Sequence, residues 1–424
     1  MNTSLATRIA LGALLAAGSA MAAAQGKGNE AAPALPGAEL VSPALLKGPL
    51  HTVVEPVRVE GGLGSFVIES KFGKFTVQGA NMLAARVQEL KAIEELQKVQ
   101  QDSAFKDALA KSAGGVAKFA VDSVGDPGKT VESMGKGLTT VFGRATYAAK
   151  SGANYVGDKA VDATVGSKAS PQSSAAGDAP PSFTGDPFGY NSARREWAKK
   201  LAIDPYTSNP VLRPLLDSAA QASFAGNFAV NLTLGAAMAP VSYAYSFDET
   251  VRDSVWNKAP IDLEKENIAK LISLGVAERT ARDLARNKWF TPSLQTAFTT
   301  RVAALGKVPG LDSVVATAAR TQGEARTRFL LESLAMLATY HAQDGMLAMI
   351  GLSNLVPVGT TADGRIVASA AIDYGIWDAD AQAFGQRKEV AGKGRTLLVA
   401  GKLSPQARQG LEKAGWTVKD QLRV

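Results

Sequence analysis

The sequence contains no cysteine and only two histidines. Without cysteine the chain forms no disulfide bond, has no thiolate nucleophile or cysteine metal site, and offers no residue for the lipid of a lipoprotein anchor. His51 and His341 are candidate metal ligands together with Asp344 or Glu332. The spacing of these residues in the sequence does not place their side chains on one face, so it does not favour a metal site. We interpret His341 as a helix-terminal residue that the helix dipole favours.

Catalytic motifs are also missing. The sequence has no nucleophile elbow, no paired-histidine zinc motif and no Ser-x-x-Lys arrangement. Residues 125–130 (GDPGKT) match the end of a phosphate-binding loop, but Ser123 stands where that motif requires a glycine, and the preceding pattern is helical. We therefore assign no catalytic residue, no cofactor and no nucleotide-binding site.

Oxygen-bearing side chains near the C-terminus have the spacing of a calcium-binding loop. Counted from Asp378, they fall at positions 1, 3, 5 and 12, where the sequence has Asp378, Asp380, Gln382 and Glu389. Ala383 replaces the glycine that such a loop requires. We interpret this stretch as a solvated turn between strands and predict no metal site.

The N-terminus has the pattern of a secretory signal peptide. In residues 1–24, Arg8 is followed by an apolar run (IALGALLAA) and then by small residues, which predicts cleavage after Ala22 or Ala24. We expect export to the periplasm of a bacterial envelope, with outer-membrane association or secretion as alternatives. The formal charge of +7 is compatible with contact with an anionic polymer or lipid, and equally with solubility alone.

Changes in composition and hydrophobic period predict a mainly α fold, in which a helical bundle-like central domain lies between an N-terminal small β meander plus helices and a C-terminal small α/β unit. The predicted parts are a signal peptide (1–24), a flexible leader (25–48), a β meander plus basic amphipathic helices (49–150), a Gly/Ser/Pro linker (151–186), a helical core domain (187–350) and a small α/β unit (351–424).

The N-terminal part combines short β-prone runs with helices. Runs at 51–59, 65–70 and 74–77 are separated by glycines and predict an antiparallel meander. Asn81 is predicted to cap the helix that follows. A second, lysine-rich helix over residues 104–124 either lies on an anionic membrane or joins a small bundle, and we favour the bundle.

An uncharged helix is predicted at the centre of the chain. Asn209 and Pro210 have the composition of a helix start, and no charged residue occurs from 218 to 247. We expect the helix over residues 210–239 to be enclosed by other helices, and keep membrane insertion as an alternative. Residues 241–247 alternate large and small side chains, which predicts a strand.

A basic helical hairpin follows the uncharged helix. Residues 261–287 form two amphipathic patterns around Leu274-Gly275, the outline of a helix-turn-helix, with Arg279, Arg282 and Arg286 on the second helix. An exported chain meets no chromosomal DNA, so we interpret the arginines as facing water or an anionic partner.

Three further segments complete the prediction. A helix is expected to begin at Thr291-Pro292, and one long helix is expected over residues 311–342. The C-terminal unit is predicted to contain one long or two short strands in residues 365–377, a strand at 396–400, a helix at 404–414 and a strand at 416–419.

The sequence thus favours an exported bacterial envelope protein that acts as a non-enzymatic interaction or structural module. An envelope hydrolase with a carboxylate-based active site and a membrane-active protein that inserts the uncharged helix are the alternatives. The expected partner is an envelope protein, an anionic envelope polymer or a lipid, and neither nucleic acid nor nucleotide is expected.

Overall fold

The computed structural model describes residues 29–111, 190–226 and 247–422. The predicted signal peptide, the sequence at 125–130, the linker and residues 227–246 of the uncharged segment lie outside the described residues.

The predicted mainly α fold is wrong. The described residues form three β-sheets, of six, five and two strands, as well as thirteen α-helices. Two missed strands lie in residues 347–361, where the sequence analysis placed the end of the helical core domain (187–350) and the start of the α/β unit (351–424) without predicting a strand. The second of them, Val356–Thr361, is buried along most of its length, so its side chains do not alternate between apolar and polar and the period of two is not visible. The first, Leu347–Ser353, lies at the sheet edge and mixes buried with exposed residues without strict alternation.

The N-terminal sheet contains the predicted meander and extends it. Its strands are β1 (Ala34–Leu35), β2 (Lys47–Gly48), β3 (His51–Val53), β4 (Val57–Glu60), β5 (Leu63–Ser70) and β6 (Gly73–Gln78), with a short helix α1 (Pro43–Leu46) before β2. All pairings are antiparallel, in the order β1-β4-β5-β3-β2, with β6 along the other edge of β5. The alternation of buried and exposed residues in β3, β4 and β6 shows that one face of this sheet packs against a core.

Four helices complete this core: α2 (Ala80–Gln101), α3 (Ser103–Lys111), α4 (Tyr190–Lys200) and α5 (Leu212–Gly226). Asn209 caps α5 as predicted, since its Oδ1 accepts from the backbone N–H groups of Val211 (2.9 Å) and Leu212 (3.1 Å). Helix α5 packs against α2, α3 and α4, although Phe224 near its end is 44% exposed. Among the described helices, none is long and apolar enough to cross a membrane.

Six helices form the next layer: α6 (Glu249–Asn257), α7 (Pro260–Ser273), α8 (Glu278–Ala285), α9 (Pro292–Ala304), α10 (Leu311–Arg320) and α11 (Glu324–Gln343). The α7–α8 hairpin and the Thr291 cap of α9 confirm the prediction. The single helix over residues 311–342 is wrong, because the chain breaks before α11 at Gly323, whose φ of 91° favours glycine.

The C-terminal unit is a mixed five-stranded sheet. Its elements are β7 (Leu347–Ser353), β8 (Val356–Thr361), β9 (Ile366–Ala370), α12 (Ala379–Gln386), β11 (Arg395–Val399), α13 (Pro405–Lys413) and β13 (Trp416–Lys419). The strand order is β13-β11-β9-β8-β7, with β9, β11 and β13 parallel and joined through α12 and α13. A separate pair, β10 (Tyr374–Gly375) with β12 (Lys402–Leu403), lies beside it.

The N-terminal sheet docks directly on this C-terminal unit. The buried carboxylate of Asp373 accepts from the backbone N–H groups of Gly64 (2.8 Å) and Ala80 (3.2 Å), while the N–H of Asp373 donates to Gly62 O (2.7 Å). The first residue of helix α2, Ala80, therefore donates its N–H to a carboxylate from a distant segment of the chain. The predicted Asn81 cap is wrong. A Cβ at Gly401 would lie 2.0 Å from Asp373 O, so this close approach requires glycine.

Candidate functional site

A groove of about 840 Å³ opens between α8, the loop after it and the C-terminal end of α10. Its walls combine basic side chains, polar groups and one indole. The lining residues include Arg279, Thr280, Asp283, Arg286, Lys288, Trp289, Arg320 and Gln322.

Positive charge predominates in this groove. Arg279, Arg286, Lys288 and Arg320 line it, and Asp283 is the one acidic residue among the lining residues. The Asp283 carboxylate lies 3.2 Å from the Arg286 guanidinium and 4.0 Å from that of Arg279. It therefore orients two arginines and leaves the groove with a net positive charge. The Arg279 side chain is 93% exposed, so it is accessible to a dissolved ligand.

Local sequence explains how the two walls are held. On α8, Ala281 and Leu284 are buried while the arginines face outward, as the amphipathic pattern predicts. The side-chain amide of Asn287 donates to Ala318 O (2.9 Å) and Thr321 O (2.8 Å), so the loop after α8 is bonded to the last turn of α10. These two bonds set the separation of the groove walls.

The same loop presents an aromatic ring. The backbone N–H of Trp289 donates to Asn287 Oδ1 (3.0 Å), and the neighbouring Phe290 is buried edge-on against Phe298 at a centroid distance of 5.4 Å. Because Phe290 anchors the loop in the core, Lys288 and Trp289 are held at the groove. The Lys288 ammonium lies 5.2 Å from the centre of the Trp289 ring, a cation–π contact.

The structure brings two of the three sequence-marked arginines into the groove. Arg279 and Arg286 line it, whereas Arg282 pairs with Glu278 at 2.6 Å and is not among the lining residues. Arg320 and Lys288 were not identified from the sequence. Arg320 belongs to another helix, and only the packing of α10 on α8 makes it part of the site. Lys288 and Trp289 could have been identified from residues 286–289 (RNKW), where basic residues lie next to an aromatic residue.

The two histidines are engaged by nearby backbone. His51 Nε2 lies 3.0 Å from Leu45 O, and burial lowers the pKa of its imidazole. His341 Nδ1 accepts from the Leu347 N–H (2.9 Å) at the end of α11. Asp344 pairs with Lys419 (3.3 Å). In the part of the chain that the structure describes, no group of three or more His, Asp or Glu side chains is arranged to hold a metal ion.

The calcium-like spacing falls on a helix. Asp378 caps α12 by accepting from the Ala381 N–H (2.8 Å), and Asp380 and Gln382 lie in the helix itself. The predicted solvated turn between strands is therefore wrong. The amide of Gln382 donates to Asn29 Oδ1 (2.5 Å), which binds the start of the described chain to the C-terminal unit.

Buried charges form a second polar cluster where α2 meets the segment before α5. The Arg86 guanidinium and Glu89 carboxylate are 2.7 Å apart, with side chains only 6% and 5% exposed. Glu89 also accepts from the Thr207 hydroxyl and from Asn209 Nδ2 (2.9 Å). This carboxylate thus has three separate donors, the arrangement that a buried charge requires.

The cluster continues to α11 through Ser208. Its hydroxyl donates to Glu324 Oε1 (3.0 Å), which also accepts from Arg328 Nε (3.1 Å). Burial opposes ionisation of Glu324, but Arg328, Arg86 and the Ser208 hydroxyl outweigh it and lower the pKa of the carboxyl. These acids are engaged by arginines and hydroxyls and do not face one another across an open cleft, so they give the hydrolase alternative no support.

Asp204 lies in the same cluster, but the pKa of its carboxyl is shifted in the opposite direction to that of Glu324. Burial raises the pKa of its carboxyl, although Ser293 Oγ (2.5 Å) and the Tyr206 N–H (2.8 Å) both donate to it. The adjoining cavity, bounded also by Arg252 and Trp256, measures about 20 Å³, which is room for one water molecule and not for a substrate.

The raised pKa of Asp204 predicts a pH dependence of stability. A carboxyl whose folded pKa exceeds its unfolded value of about 3.9 contributes stability below that pH, and the contribution is lost as the pH rises through the folded pKa. We expect Asp204→Asn to weaken this dependence, measured as the free energy of unfolding in urea from pH 4 to 7. Equal slopes in variant and wild type would contradict the assignment.

Comparison with known proteins adds no assignment to this geometry: no family model, curated protein or solved structure matches the chain.

Proposed function

We propose that this protein is an exported, non-enzymatic binding module of the bacterial envelope, and that it holds an anionic envelope polymer in the groove between α8 and α10. The observation that carries the proposal is the charge of that groove, which is lined by Arg279, Arg286, Lys288, Arg320 and one carboxylate, Asp283. The leader-like sequence of residues 1–24 supports the location.

The groove has the chemistry that anion binding requires. Guanidinium groups bind carboxylates and phosphates through paired hydrogen bonds, and exposed cations attract a polyanion over about 8–10 Å at moderate salt. The groove is open to solvent, whereas an enclosed pocket would admit only a small ligand. Binding at such an exposed site is expected to weaken as ionic strength rises.

Removing two groove cations should weaken polymer binding. We expect Arg286→Ala combined with Arg320→Ala to lower the affinity for polygalacturonate about tenfold, a loss of about 1.4 kcal/mol. Arg282→Ala combined with Arg326→Ala is the matched control, because these arginines do not line the groove and the net charge of the two double variants is equal. Binding is measured by calorimetry at two salt concentrations.

The protein for this experiment is recovered from the periplasm of a bacterial host that expresses the full chain. Its first residue is expected to be Ala23 or Gln25. An intact leader with cytoplasmic retention would remove the proposed location. Equal losses in the two double variants would show that only overall charge matters and would remove the proposed site.

A further inference from the structure

One carboxylate lies among the four cations of the groove. Asp283 lies between Arg279 and Arg286 and lines the groove with them. A chain with closely spaced anions would place at least one of them beside this carboxylate, where like charges repel.

The two groove arginines of α8 converge on this carboxylate. Arg279 Nε lies 4.0 Å from one oxygen of Asp283, and a guanidinium nitrogen of Arg286 lies 3.2 Å from the other. A ligand that pairs with both arginines therefore places its anions on either side of Asp283, with an uncharged unit opposite the carboxylate.

The remaining lining residues suit such uncharged units. Thr280 and Gln322 bring a hydroxyl and an amide to the groove, and Trp289 brings an indole ring. The Lys288 ammonium lies 5.2 Å from the centre of that ring. Flat apolar contact next to hydroxyl and amide groups fits a sugar ring, whose faces are apolar and whose edges carry hydroxyls.

We infer that the polymer is an acidic polysaccharide with its negative groups on separated sugars, and that one sugar ring packs on Trp289 while carboxylate or phosphate groups pair with Arg279, Arg286 and Arg320. This inference rests on the proposed function and specifies its ligand class. Aromatic residues also stack on nucleobases, so a single-stranded nucleic acid is the competing ligand. The Asp283 carboxylate between the two arginines favours the polysaccharide, because it repels a phosphate and can accept a hydrogen bond from a sugar hydroxyl.

The test titrates the full mature chain with three probes of matched length: hyaluronan, whose carboxylates lie on alternate sugars, neutral dextran and a single-stranded DNA oligonucleotide. We expect hyaluronan to bind most tightly at equal salt. Trp289→Ala should weaken its binding about tenfold, and Trp289→Phe should recover most of the loss, because the phenyl ring keeps a flat apolar face. Thermal unfolding of each variant checks that the fold is kept.

Three results separate the ligand class from the proposed function. If the oligonucleotide binds more tightly than hyaluronan and the groove variants abolish that binding, the polysaccharide inference is overturned while the groove stays a polyanion site. Unchanged hyaluronan binding by Trp289→Ala overturns the sugar contact. If no acidic probe binds, or the Arg286 and Arg320 double variant binds like wild type, the proposed function fails as well.

Discussion

Replacing Glu89 by alanine is expected to lower the free energy of unfolding by about 3–5 kcal/mol, because it leaves the Arg86 guanidinium buried without its carboxylate. The substitution also removes the acceptor of the Thr207 hydroxyl and of the Asn209 side-chain amide. Asn209 caps α5, so the loss should extend to the start of that helix. Urea unfolding of the full chain, followed by circular dichroism, measures the change.

Helix α2 supplies a matched control for this substitution. Glu95 and Lys98 have the same spacing of three residues and the same separation of 2.7 Å as Arg86 and Glu89, but their side chains are 29% and 60% exposed. Glu95→Ala is therefore expected to cost less than about 1 kcal/mol. If Glu89→Ala cost no more than Glu95→Ala, the account of a buried ion pair would be wrong.

A second large effect is expected at Asp373. Alanine at this position leaves the buried N–H groups of Gly64 and Ala80 without their carboxylate acceptor, which we expect to cost about 2–4 kcal/mol. Ala80 is the first residue of α2, so the loss of a negative charge there also removes a favourable interaction with the helix dipole. Asp373→Asn keeps one carbonyl oxygen as an acceptor and should cost less.

Hydrogen exchange distinguishes this local role from general destabilisation. We expect the amides of Gly64 and Ala80 to exchange faster in Asp373→Ala, while amides in the α7–α8 hairpin keep their wild-type rates. Asp363→Ala is the control, because its exposed carboxylate pairs with Arg365 in the turn between β8 and β9. Unchanged exchange at Gly64 and Ala80 would show that Asp373 does not hold the N-terminal sheet on the C-terminal unit.

The groove itself was not predicted, although two of its arginines were marked in the sequence. The arginines of α8 were recognised because an amphipathic helix places its charged face in water whatever else it contacts. Arg320 and Trp289 were missed as site residues because no local sequence pattern indicates that the end of α10 packs beside the loop after α8. That contact depends on two hydrogen bonds from the Asn287 side chain, to Ala318 O within α10 and to Thr321 O just after it.

The sequence by itself determined that the chain has no thiol. It also determined three local features: the caps at Asn209 and Thr291 and the arginine face of α8. Each of these three depends on residues within one or two turns of one another. Tertiary structure alone decided the buried strand β8, the use of Asp373 as the cap of α2, and the second wall of the groove. The last two features join residues tens to hundreds of positions apart, and burial along β8 removes the alternation by which a strand is recognised in sequence.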